Sequence, residues 1–337
     1  MTPNARFQEF IKDITPSPTT MANSKSAHES VRMALKADKE FKDKFKRVFI
    51  GGSYKRSTAI RPRTKQGSTE RPDVDLYVVV DGHPWFADPE EWIDDLYDAL
   101  NRARKDLGIT KIKRNRCSIA LSMNKADVDV SILLERRSDG LYRIGNRTTG
   151  EWYKTDPEEH TEWSAAENKR FSGRFNAMVR MVKWARRENK TVSRHPKSFQ
   201  LEMFVAPDMD MSETHYGQLF HDWCDAFVDR FKSNRDSENC PRIEDPAVPG
   251  ADILAGVSDE AFCVYYDKIK KHRDDARKAL DADNQDKAIT YWRRIFGDRF
   301  PKPKTASGGT KRSATRMSPL SFKSAQAAPI SRPAKFA

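Results

Sequence analysis

Residues 51–60, GGSYKRSTAI, follow the short apolar run RVFI (47–50) and lead through a polar loop into residues 71–80, RPDVDLYVVV. A glycine pair lets the backbone pass close to a ligand, and aspartates at alternate strand positions, here Asp73 and Asp75, point to one face. The pattern returns in residues 126–134, ADVDVSILL, with Asp127 and Asp129. Amides free of Cβ obstruction, together with the Ser53 hydroxyl, suit a polyphosphate, and same-face carboxylates suit the metal ions that accompany one. Asp129 is favoured over Asp127 as the third acid. It sits inside the apolar run, where a carboxylate is costly without a task, whereas Asp127 is nearer the turn.

Working outward, the spacing of Val31, Leu35, Phe41 and Phe45 predicts an amphipathic helix from Ser24 to about Phe45, with Pro16 and Pro18 barring a longer one. Asp88-Pro89-Glu90 reads as a helix start, and Trp92, Leu96, Leu100 and Ala103 line one face as far as Gly108. The runs KIKRNRCSIALSM (111–123) and ADVDVSILL read as strands joined at Asn124-Lys125. The first half is therefore an α+β palm with a mixed or antiparallel sheet. Helices are expected at 164–190, 197–206, 213–232, 258–281 and 284–296. The implied organisation is an N-terminal extension (1–23), a palm with its leading helix (24–160), a helical lobe (161–300) with the active site in the cleft between them, and a disordered basic tail (301–337). Trp152, Trp163, Trp184, Trp223 and Trp292 are expected at the interface between the lobes.

The formal charge of +12 is concentrated in that tail. Residues 301–337 hold eight Lys or Arg and no acid, leaving 53 basic against 49 acidic groups elsewhere, so a general nucleic-acid coat is not indicated. Lys111, Lys113 and Arg116 could hold an acceptor nucleotide or an RNA activator, or simply protect an edge strand. The four cysteines (117, 224, 240, 263) lack metal-ligand spacing and read as reduced thiols. No long apolar run exists and the first residues lack a secretory h-region, so a cytoplasmic protein without a membrane span is expected.

GGSYKRSTAI, DVDLYVVV and DVDVSILL together resemble the Gly-Ser…Asp-x-Asp…Asp signature of the polymerase-β-like nucleotidyltransferases. The stretch TGEWYKTDPEEHTEW…NKRFSGRFNAMVRMVKWARR, followed by HPKSFQLEMF, resembles the bacterial cGAS/DncV-like nucleotidyltransferases (CD-NTases) over residues 24–300. That resemblance implies Asp73, Asp75 and Asp129 as catalytic ligands of two Mg²⁺, with Mn²⁺ as the alternative, and Asp129 as activator of the attacking hydroxyl. It implies Gly52 and Ser53 as the phosphate-binding pair and Lys183 as a lysine meeting the donor phosphates. Ser198 and Phe199 would be a serine touching the triphosphate and an aromatic stacking on the base; Phe replaces the family's Tyr and loses a hydroxyl. Core packing for Phe199 and a solvated helix face for Lys183 are the structural alternatives. The loop between Ser53 and Asp73 is long, and its Arg61, Arg63, Lys65 and Arg71 could cover the site.

The implied activity is template-free joining of NTPs (ATP, with GTP, CTP or UTP as further substrates) into a cyclic oligonucleotide second messenger with release of pyrophosphate, in antiphage defence of the CBASS type. A linear oligoadenylate-type synthetase, a protein or RNA nucleotidyltransferase, and an inactive RNA-binding protein are the alternatives. An RNA or peptide activator, and an E1/E2-like ligase acting on the small C-terminal residue Ala337, are the implied partners.

Overall fold

The computed structural model describes residues 2–62, 64–65, 68–69, 73–192 and 195–302. The tail beyond residue 302, Ala337 included, lies outside them, as do Arg63 and Arg71 of the long loop.

In chain order the elements are α1 (Asn4–Ile14), α2 (Pro18–Ala37), β1 (Phe45–Ile50), a one-turn α3 (Gly52–Lys55), the two-residue strands β2 (Thr64–Lys65) and β3 (Ser68–Thr69), and β4 (Asp73–Val80). There follow α4 (Pro89–Arg102), β5 (Ile109–Arg114), β6 (Ile119–Met123), β7 (Asp127–Leu134), β8 (Tyr142–Asn146) and β9 (Glu151–Thr155). The rest is helical: α5 (Pro157–Arg170), α6 (Arg174–Glu188), α7 (Ser198–Val205), α8 (Tyr216–Arg230), α9 (Lys232–Asp236), α10 (Asp259–Leu280) and α11 (Gln285–Phe296).

The palm sheet runs β1-β4-β7-β6-β5, with β8 paired to β7 and β9 to β8. Only β4 and β7 are parallel; the other pairs are antiparallel. Alternation along the central strands assigns the two faces. Val74, Leu76, Val78 and Val80, with Val128, Val130, Ile132 and Leu134, are buried in a core shared with α2 and α4. The odd-numbered residues take the other face, where Val79 and Leu133 pack with Tyr142 at the far end of the strands. Lys111 and Lys113 lie on β5, at one edge of the sheet.

Several sequence expectations are corrected. Pro18 does not bar a helix but starts one, at the first position of α2, with the Ser17 hydroxyl accepting from the Thr20 amide (3.2 Å). That helix ends at Ala37, because Asp38 Oδ1 accepts from the amides of Glu40 and Phe41 and turns the chain. Strands β8 and β9 lie where no strand was expected. The helix expected at 164–190 is two helices, broken where Ser172 and Gly173 adopt left-handed backbone (φ 52° and 84°). Its start moves back to Pro157, with Asp156 accepting from the Glu159 amide (3.1 Å), the same Asp-Pro-Glu device that starts α4.

The stretch expected as an N-terminal extension belongs to the helical core. Phe7, Phe10 and Ile14 of α1 are fully buried there. Phe7 meets Trp292 and Phe300 edge-on at 4.9 and 5.2 Å, and Phe10 lies 4.8 Å from Phe296. Trp184, Trp223 and Trp292 belong to that core too, not to the lobe interface. Trp152 is tied to the palm by its bond to the Ala87 carbonyl (2.7 Å), which leaves Trp163 beside the helical core and Phe199. Phe10→Ala should cost about 3–5 kcal/mol in denaturant unfolding. Trp85→Ala, at a residue 86% exposed, should change stability by less than about 0.5 kcal/mol. Equal effects would refute a structural role for α1.

Candidate active site

The parallel register of β4 and β7 sets Asp73 opposite Asp127 and Asp75 opposite Asp129. Because the even positions are committed to the core, four carboxylates share the open face. Asp129 is steadied from the β5–β6 connection, accepting from Asn115 Nδ2 (3.3 Å) and Ser118 Oγ (3.4 Å). These two were missed in the sequence, where Asn-x-x-Ser beside Cys117 looks like any polar hairpin turn.

Crowding of like charge shows in the ionisation of the group. Asp73 lies at an open strand end, yet the surrounding protein mass desolvates it and Asp75, Asp129 and Asp127 repel its charge, pushing it up to about 7. Asp75 is pushed up to about 6 by burial and by Asp129, against the opposing pull of Arg56 and Lys183. Burial raises Asp129 as well, moderated by its bonds to Ser118 and Asn115. Among the described residues no group of three or more His, Cys, Asp or Glu side chains is by itself placed to hold a metal ion. An open set of hard oxygen donors fits Mg²⁺, which keeps several waters and takes one or two carboxylates plus substrate phosphates.

The Gly-Gly-Ser turn packs directly on this strand. The Gly51 amide donates to the Asp75 carbonyl (2.9 Å). Gly52 has φ +62°, and a Cβ there would lie 1.7 Å from Asp75 Oδ2; at Gly51 it would lie 2.3 Å from the Tyr77 ring. The glycines therefore make room first for the protein's own carboxylate strand, a reason the sequence alone did not supply. The Ser53 carbonyl accepts from the amides of Thr58 and Ala59 (2.9 and 3.0 Å), closing the loop, and Ser57 sits at φ 58°. Buried Tyr54 bonds Ser24 of α2, so the turn is also anchored to the leading helix.

Lys183 is neither on a solvated face nor open to the cleft. It is 1% exposed, and its ammonium donates to Glu202 Oε1 (2.8 Å), Thr58 Oγ1 (2.9 Å) and the Thr58 carbonyl (3.3 Å). Burial pushes it down to about 8 despite Glu202. Glu202, fully buried, also accepts from Arg56 Nε (3.0 Å), Thr58 Oγ1 (2.8 Å) and Ser164 Oγ (3.5 Å). Burial alone would raise its carboxyl; Lys183 and Arg56 hold it below the ordinary range. A carboxylate inside the apolar run LEMFV was a readable signal, by the same reasoning that picked out Asp129.

At the start of α7, Ser198 Oγ lies 3.3 Å from Arg186 Nη2. Phe199 is half-buried and stands apart from the apolar core. The Arg56 guanidinium lies 4.7 Å from its ring centre, His160 4.3 Å and Trp163 6.4 Å. Arg56 thus joins the Gly-Ser turn to Phe199.

A mixed sheet with carboxylates facing one another on its parallel central pair, beside a Gly-Ser turn and backed by a helical lobe, defines a nucleotidyltransferase of the polymerase-β-like class. Residues 1–168 match the Second Messenger Oligonucleotide or Dinucleotide Synthetase domain. The chain is 37% identical over 322 residues to the cyclic AMP-AMP-AMP synthase of an Acinetobacter species, spanning 95% of this chain and 91% of that one. It is 25% identical over 358 residues to the cyclic AMP-AMP-GMP synthase of Enterobacter hormaechei, spanning 90% and 93%. The CD-NTase CdnG of Bradyrhizobium diazoefficiens, solved with GTP, superposes with a TM-score of 0.71 at 14% identity over 88% of this chain and 96% of that one. This chain belongs to that family, the CD-NTases: it is a nucleotidyltransferase that makes cyclic oligonucleotides, of a class that uses divalent metal ions. Among the described residues no helix is long and apolar enough to cross a membrane.

Asp75→Asn should lower pyrophosphate release by at least about 10³-fold in a folded variant, the scale of losing strong electrostatic stabilisation; activity within tenfold of wild type would overturn the assignment. The raised acids also fix a sign. Their folded pKa values, about 7 and about 6, exceed the unfolded value of about 3.9, so the folded state binds protons more tightly. The melting temperature of metal-free protein should therefore rise as pH falls from 8 to 6. Saturating Mg²⁺ should flatten that dependence, and Asp75→Asn should reduce it. Identical slopes in all three samples would contradict the account.

Proposed function

We propose that this enzyme uses ATP as its principal substrate and releases a cyclic oligoadenylate, of three AMP units as in the Acinetobacter relative's name. The observation behind this reading is the 37% identity to that synthase along 95% of the chain, against 25% to the synthase that incorporates GMP.

Asp73, Asp75 and Asp129 would hold two Mg²⁺, with Mn²⁺ able to replace them. When bound, the ions neutralise the triphosphate and favour the ionised hydroxyl of the acceptor ribose. Asp129, steadied by Asn115 and Ser118, takes the hydroxyl proton. The ribose oxygen bonds to the α-phosphorus of the donor, the bond to the β-phosphate breaks, and pyrophosphate leaves. Gly52 and Ser53 seat the donor phosphates, and Lys183 adds positive charge from beneath the turn. Ser198 touches the triphosphate and Phe199 stacks on the base, its missing hydroxyl making base recognition depend on the π face. A linear product that turns round within the same cleft becomes donor for ring closure, so one site completes every bond.

The palm, led by α2, and the helical lobe, formed by α1 together with the helices from α5 onward, act as one catalytic unit in the cytoplasm. An RNA or peptide activator would reach the enzyme through the edge strand carrying Lys111 and Lys113. The product signals phage infection to a separate effector.

Incubation with four NTPs and Mg²⁺, followed by mass spectrometry, should give cyclic tri-AMP and pyrophosphate; linear oligomers or a GMP-containing ring would displace this reading. Phe199→Ala should weaken ATP binding by about 1–3 kcal/mol while the melting transition persists. Loss of that transition would mean that Phe199 is structural.

A further inference from the structure

The segment that follows the Gly-Ser turn is stitched to the helical lobe by one face of α6. Arg180 donates to the Ser57 carbonyl (2.5 Å), Lys183 to the Thr58 carbonyl (3.3 Å) and Arg187 to the Arg61 carbonyl (2.6 Å). Spacings of three and four residues put the three cations on one helical face. At the middle of the seam stands Glu202, whose single carboxylate collects Lys183, Arg56, Thr58 and Ser164 from three separate segments. It is on α7 three residues after Phe199, and Arg56 spans the two side chains.

We infer that Glu202 is a positioning residue for nucleotidyl transfer, holding the phosphate turn and the base-side aromatic in one fixed relation to Asp75. The turn is short: α3 is a single helical turn, held from one side by buried Tyr54 and followed by Ser57 in a left-handed backbone. Arg56 and Thr58, immediately beyond it, end on Glu202. Without that carboxylate, Lys183 and Arg56 are two buried cations that repel each other, and the loop they hold must shift to let one reach water. The turn then leaves Asp75, against whose Oδ2 Gly52 is packed without space for a methyl group. A displacement on the scale of 1 Å is enough to cost catalysis about 100-fold. The donor still binds through base and ribose, so the loss falls on turnover.

This inference rests on the donor phosphates lying over Gly52 and Ser53, and the experiment separates the two. Steady-state pyrophosphate release is measured for the full chain and for Glu202→Gln, Lys183→Met, their double variant, Thr58→Val and Asp75→Asn, with melting temperatures for each. Glu202→Gln should lose at least about tenfold in kcat with the ATP KM moving less than about threefold, the signature of an interaction realised in the transition state. In the Lys183→Met background the same substitution should cost less than about threefold, because the cation it orients is gone. Thr58→Val, which removes only the hydroxyl bridging Lys183 and Glu202, should fold normally and lose about three- to tenfold in kcat, keeping the test open if Glu202→Gln does not fold. A folded Glu202→Gln with wild-type kcat, or Thr58→Val with wild-type kcat, or equal costs in both backgrounds, overturns the inference when Asp75→Asn is inactive. Substantial activity in Asp75→Asn instead overturns the site on which the inference rests.

Discussion

Mutual repulsion among carboxylates is the constraint around which this molecule is arranged. Parallel pairing of β4 and β7 sets Asp73 and Asp75 against Asp127 and Asp129, a placement that opposes folding while the acids are ionised. The supports of the site can be read as responses to it. Val, Leu and Ile at the even positions bury that side of both strands and fix the register, since a slip of one residue would send acids into the core. Asn115 and Ser118 donate to Asp129. Arg56 and Lys183 stand behind Asp75 and temper the rise in its pKa, while both also donate hydrogen bonds to Glu202.

Much of this was legible in the sequence, for a definite reason. Strand alternation is local, so DVDLYVVV and DVDVSILL announce both their secondary structure and the face on which the acids lie. Helix starts with an Asp, Ser or Asn cap are equally local, and the rule applied at Asp88-Pro89 also governs Asp156-Pro157 and Ser17-Pro18, where it was not applied. Long-range information was hidden. No spacing tells that Phe7 and Phe10 close onto Phe300 and Phe296, or that Glu202 faces Thr58 across 144 residues. The purpose of Gly51 and Gly52 was half legible: close approach was foreseen, but not that the neighbour would be the protein's own Asp75 and Tyr77.

Basic residues on α6 illustrate how composition misleads when read as surface. Arg180, Lys183, Arg186 and Arg187 look like a patch for nucleic acid. All four instead send hydrogen bonds to backbone carbonyls, of Ser57, Thr58, Pro196 and Arg61, in the connections before and after the two lobes' shared face. Their desolvation is visible in the lowered pKa values of Arg180, Lys183 and Arg186. Here positive charge is used as structural material, binding carbonyl groups that no helix or strand satisfies.

The place of α1 has a consequence for how the molecule assembles. Among its partners, Trp292, Phe296 and Phe300 are the last aromatic side chains of the described fold, so the helical lobe is discontinuous in sequence and the whole palm is threaded between its first helix and the remainder. During synthesis the palm can complete its sheet at Thr155 while α1, already outside the ribosome, still waits about 140 residues for Phe296. Such a loop closes late and slowly, because ordering so long a connection precedes any reward from the contacts it makes. Until then Phe7 and Phe10 can be covered only in part, by Trp184 and His215, and the growing chain is exposed to misassociation at the very helix that will finally seal it.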